Sequence, residues 1–81
     1  MTRIVKIDWV DSCHFAGWRL EHEYKDIQIS NCTSVGILIR QTEDEVVYAQ
    51  SYSDTGNYAE VNAIPMCAVK KIIELSDNRV K

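Results

Sequence analysis

SVGILIRQTEDEVVYAQSYS, residues Ser34–Ser53, decides the fold. Two runs rich in β-branched and aromatic side chains flank the acidic break at Glu43-Asp44, a pattern that predicts a strand, a tight turn and a returning strand. In the first arm Val35, Ile37 and Ile39 share one face and Leu38 lies on the other. In the second, Val47, Ala49, Ser51 and Ser53 lie opposite Val46, Tyr48, Gln50 and Tyr52. Apolar residues on both faces call for burial on both sides or for a patch used in self-association. Leu38, Val46 and Tyr48 are the expected self-association surface.

Upstream of this hairpin, Val5, Ile7 and Trp9 alternate with Lys6 and Asp8, which predicts a first strand over residues 3–10. Asp11-Ser12 offers side-chain oxygens to local amides and ends it in a turn. Residues 13–18, CHFAGW, form a compact loop in which Gly17 lets Trp18 fold back onto the domain. Leu20, Tyr24 and Ile27 at helical spacing predict a short helix or helical turn lying across one open end. The stretch from Ile27 to Cys32 either begins the next strand or leads into it, and the hairpin follows. Downstream, Asp54-Thr55-Gly56-Asn57 is a turn. Tyr58 to Ile64 is a fourth strand closed by Pro65, because proline cannot donate to a ladder. Met66-Cys67-Ala68 makes a 3₁₀ connector, Val69 to Leu75 the last strand, and Ser76–Lys81 a frayed polar tail.

The expected architecture is a mainly β, five-stranded SH3-like or Sm-like barrel with one short helix or helical turn, a single domain over residues 1–75. Closure of that kind removes the exposed edges that endanger a small β protein. A compact α+β sheet is the alternative.

Composition narrows the function. With 81 residues the chain makes one domain with a thin core, of the size that oligomerisation commonly reinforces. A net charge of −3 argues against DNA or long RNA as partner, since phosphate backbones need a concentrated basic surface. The cations Arg3, Lys6, Lys70, Lys71, Arg79 and Lys81 nevertheless sit near the two ends of the chain, and paired terminal strands would gather them into a modest basic face. No apolar run approaches the ~18 residues of a membrane helix. The opening MTRIVKIDW breaks its apolar residues with charges, unlike a signal peptide, so a cytoplasmic protein is expected. The three cysteines, Cys13, Cys32 and Cys67, are an odd, widely spaced set, expected as free thiols with Cys32 and Cys67 in the core.

No motif carries catalysis. Asp54-Thr55-Gly56 matches the triplet around an aspartic protease carboxylate, but it follows Ser-Tyr-Ser and sits where a hairpin turn is expected. Cys13, His14, His22, Cys32 and Cys67 lack the paired spacing of a zinc site. Cys13-His14 lacks a third orienting group for a thiol nucleophile. No phosphate-cradling glycine loop occurs. A non-enzymatic protein without metal or cofactor is expected. Trp9 is expected in the core. Trp18, in its loop beside Asp11 and Ser12, suits either lid packing or stacking on a ligand.

Trp9-Val10-Asp11-Ser12 with Gly17-Trp18, then Ser34 to Ile39, Ala49 to Asp54, and Ile64-Pro65 leading to Ile72 resemble a set of short bacteriophage- and prophage-encoded proteins. The resemblance extends to about Leu75 and implies a phage accessory protein at work in the bacterial cytoplasm. Small phage proteins of this size often counter host defence, and one physical route is stoichiometric. A homo-oligomer binds a small nucleotide-type signal and holds it away from its effector. Asp11, Ser12, Trp18, Ser51 and Asn57, with Lys70 and Arg3, are the residues expected to bind that ligand. The alternative is an interaction module that binds a host protein or RNA segment.

Overall fold

The computed structural model describes residues 2–13 and 16–75. His14 and the tail from Ser76 to Lys81 lie outside them. Five strands form one antiparallel sheet: β1 (Ile4–Asp11), β2 (Ser30–Gln41), β3 (Glu45–Tyr52), β4 (Tyr58–Pro65) and β5 (Val69–Leu75), in the order β4-β3-β2-β1-β5. The protein is mainly β, as the alternating pattern dictates. Its helical content among the described residues is two 3₁₀ turns, Glu21–Tyr24 and Met66–Ala68. Among these residues no helix is long and apolar enough to cross a membrane.

The core shows how the sheet curls. Val5 and Ile7 of β1 pack with Val46 and Tyr48 of β3 and Ile64 of β4, although β1 and β4 are not neighbours in the sheet. Side chains from separated strands meet only if the sheet bends round on itself, which gives the domain its barrel-like character. Trp9, Leu38, Met66, Ala68, Val69 and Ile72 pack around this cluster. Trp9 donates its indole N–H to Ser34 Oγ at 3.0 Å, so the ring's polar edge is satisfied while its body packs on the core.

Tyr48 also explains a glycine. A Cβ placed on Gly36 would stand 2.6 Å from Tyr48 Cδ2 and 2.7 Å from the Ala49 carbonyl oxygen. Only a residue without a side chain lets the tyrosine ring lie against β2 at this point.

Local chemistry sets both turns of the central meander. Thr42 Oγ1 accepts the amide N–H groups of Asp44 (3.1 Å) and Glu45 (3.2 Å), closing the β2–β3 turn. Ser53 Oγ accepts the Asn57 N–H at 3.2 Å, and Gly56 takes a φ of 89° at the β3–β4 turn. The Met66 N–H reaches back to the Asp44 carbonyl at 2.9 Å, pinning the β4–β5 connector to the first of these turns.

Several expectations are corrected. Leu38, Val46 and Tyr48 face the core, with Val46 fully buried, so they cannot form a self-association surface. Cys67 is exposed and Cys32 is half-buried, so neither is a core residue. Trp18 does not fold back onto the domain; its side chain is fully exposed. The expected helix shrinks to the turn Glu21–Tyr24, which buries no residue and caps nothing. A helix needs an apolar stripe packed on a core, and Leu20, next to this turn, remains 65% exposed.

Register divides the sheet in two. β2 pairs with β1 along its whole length, from Ile4↔Ile37 to Asp11↔Ser30. It pairs with β3 only between Ile37 and Gln41. Beyond Ala49 the β3–β4 hairpin therefore leaves β2 and continues as a two-stranded arm, closed by the Tyr52 and Tyr58 rings at 5.0 Å. The molecule is correspondingly elongated, 59 × 25 × 24 Å.

Candidate functional site

Period-2 geometry puts Arg3 on the same side of the sheet as Val5, and Leu38 opposite Tyr48 on that side too. Tyr58 pairs with Tyr52, which lies four residues beyond Tyr48 and shares its face. Arg3, Leu38 and Tyr58 therefore extend the core-facing side of the curled sheet past the end of the packed cluster. There they line an open hollow of about 740 Å³ together with Ile39, Arg40, Gln41, Thr42 and Glu43. The register shift between Leu38 and Arg40 sets the end of β2 off the regular ladder beside this hollow. A bulge commonly re-aims a side chain in this way.

Two guanidinium groups, one phenol ring, a hydroxyl and an amide thus share one concavity. Arg3 donates from Nε (2.9 Å) and Nη2 (2.6 Å) to Glu74 Oε1. Arg40 donates from Nε (3.2 Å) and Nη2 (2.7 Å) to Glu45 Oε2. Each carboxylate holds the Nε–Nη2 edge of its guanidinium and fixes the plane. Both pairs are half-exposed, so they orient the arginines while adding at most ~1 kcal/mol of stability each. Planar forks of this kind match phosphate oxygens, and a tyrosine face takes a flat ring. Glu43 is the acid of the set and suits a ribose hydroxyl or a base amine.

The seven residues expected to bind a ligand fall in several places. Arg3 alone lines the hollow. Asp11 and Ser12 end β1, where the Ser12 N–H binds Asp11 Oδ1 at 2.8 Å. Lys70 joins that end of the sheet by donating to Asn31 Oδ1 at 3.4 Å, and Asn31 pairs with Val10. Ser51 and Asn57 belong to the β3–β4 arm, where the Asn57 amide side chain donates to Thr55 Oγ1 at 3.2 Å. Trp18 stands in solvent on the loop between β1 and β2. One chain does not gather these seven into a pocket.

Arg40 and Tyr58 went unnoticed in the sequence. Arg40 looks like an ordinary charged strand end, and Tyr58 like the start of an edge strand. Strand pairing brings Arg40 near Arg3, since the Leu38 N–H binds the Arg3 carbonyl at 2.8 Å, and Tyr58 lines the same hollow. Among the described residues no three metal-ligating side chains converge. No family model matches the chain, and no curated protein or solved structure is significantly similar to it.

Proposed function

We propose that the protein is a non-enzymatic binding protein that takes a small, phosphate-bearing, nucleotide-type ligand in the hollow between Arg3, Arg40 and Tyr58. The observation that carries this is that two arginines, each held by a carboxylate, and a tyrosine line one concavity. Phosphate would sit between the two forks, and the base would lie on Tyr58. Gln41, Thr42 and Glu43 supply the hydrogen-bonding groups that read the rest of the ligand. No nucleophile–base pair is needed for this task. With the resemblance to phage proteins, the role that follows is sequestration: a homo-oligomer in a bacterial cytoplasm that holds a host-defence nucleotide away from its effector.

Calorimetric titration with a cyclic dinucleotide and with ADP-ribose tests this. Wild type should bind one of the probes, and Arg40→Gln should weaken it about tenfold to a hundredfold. That is the factor expected when a charge-assisted hydrogen bond of ~1.5–3 kcal/mol is removed. Because Arg40 is exposed, the variant keeps its fold. Binding that Arg40→Gln leaves unchanged would place the ligand elsewhere.

A further inference from the structure

We infer that a second copy of this chain pairs antiparallel with the free half of β2, residues 30–35, so that two sheets join edge to edge across a two-fold axis. The inference concerns the oligomer alone and uses no residue of the hollow.

β2 is a central strand over only part of its length. On one side it pairs with β1 from Ser30 to Ile37, and on the other β3 accompanies it only from Ile37 to Gln41. Among the described residues no loop takes the place of β3 by a main-chain hydrogen bond to residues 30–35. A strand in an antiparallel ladder turns N–H and C=O groups to both of its sides. This stretch therefore presents a row of main-chain donors and acceptors where β3 has left, and an extended chain is what matches such a row.

The free edges of the sheet differ in how they receive such a chain. The outer strand β5 carries Lys70, Lys71 and Glu74. The outer strand β4 carries Glu60, at a left-handed φ of 56°, and ends in Pro65. Charges, an irregular backbone and proline all discourage strand addition. Residues 30–35, Ser-Asn-Cys-Thr-Ser-Val, contain neither charge nor proline. The facing stretch of β3, residues 50–52, is equally bare, but it stops after Tyr52 at the turn held by Ser53 and is too short to cover residues 30–35. The one long unprotected edge lies inside the sheet order, not at its rim.

A second copy answers this edge because it brings the same need. Antiparallel pairing about a two-fold axis sets residues 30–35 of each copy against the other and satisfies both rows at once. A charged stretch would meet its own like charge across such an axis, and this one has none. Its side chains are small, so the two strands can approach to the ordinary spacing of about 4.8 Å. Val35 is 53% exposed, and Asn31 and Thr33 are exposed on the same face, so nothing in one copy stands over the pairing stretch there.

Sedimentation velocity without nucleotide tests the inference, so that the result reads the interface and not the hollow. Wild type should sediment with twice the chain mass. Thr33→Lys/Val35→Lys gives β2 the protection that β5 already has, at two exposed positions that the monomer tolerates. The double variant should sediment as a monomer and keep the wild-type circular dichroism spectrum. Its amides over residues 30–35 should exchange faster than those of wild type, while Val46 and Val47 exchange at the wild-type rate. Val61→Lys, at an exposed position on β4, should remain a dimer. A wild-type chain that stays monomeric at high concentration overturns the inference, as does a double variant that remains a dimer or a dimer that Val61→Lys dissociates.

Discussion

Individual side chains explain most of what is unusual here. Gly36 is required by the ring of Tyr48, so Gly36→Ala should lower stability by about 1–3 kcal/mol as the tyrosine or the strand is pushed aside. Urea denaturation would show the shift in midpoint. Glu60 holds a φ of 56° within β4, a left-handed conformation costly for a residue with a side chain. Glu60→Gly should therefore raise stability, by up to about 1 kcal/mol, and a thermal melt reads it as a higher Tm. Trp9 and Trp18 separate cleanly. Trp9→Phe loses the bond to Ser34 and should cost about 1 kcal/mol, whereas Trp18→Ala removes a side chain that touches no core and should change stability by less than ~0.5 kcal/mol. Tryptophan spectroscopy hints at the difference before any mutant is made, since Trp18 should quench freely with acrylamide and Trp9 should not.

At the scale of elements, alternation was a sufficient guide. The last strand runs from Val69 to Leu75 and the 3₁₀ connector spans Met66–Ala68, as the sequence predicts. The central hairpin turns at its acidic break. Period-2 patterning is a local signal, and each of these elements obeys it locally. The sign of a face is not local. Val46 and Tyr48 alternate with Val47 and Ala49, and both sets are apolar, so nothing in β3 alone says which set faces the core. Val5 and Ile7 settle it, from a strand that begins 41 residues earlier, Ile4 against Glu45. The helical spacing of Leu20, Tyr24 and Ile27 misleads for the same reason: spacing forms a helix only when a core receives the stripe. At this scale Ile7→Ala should destabilise the domain by about 2–5 kcal/mol, because Ile7 is fully buried at the centre of the cluster that joins β1 to β3 and β4.

For the whole molecule, one curled sheet has two sides with different chemistry. The inner side holds the core and, past its end, Arg3, Leu38 and Tyr58 of the hollow. The outer side carries Ile4, Val35 and Val61 exposed around the buried Val47 and Ala49. Chain length made the thin core legible, and five fully or nearly buried side chains form its cluster. Position was not legible, because Arg3, Arg40 and Tyr58 are far apart in sequence and line one hollow only through strand pairing and the folding of the sheet. Charge placement points to one residue that lines the hollow, since Arg3 belongs to the cations near the chain ends.

Nuclear magnetic resonance titration of the full chain with ADP-ribose and a cyclic dinucleotide tests the binding site most directly. Binding in the hollow predicts that the Arg3 and Arg40 side-chain Nε–H signals and the Tyr58 ring signals move with ligand, while the Trp18 indole N–H and the Asn57 amide stay in place. Movement of Trp18 and Asn57 with silent arginines, or no movement with either probe, would contradict it.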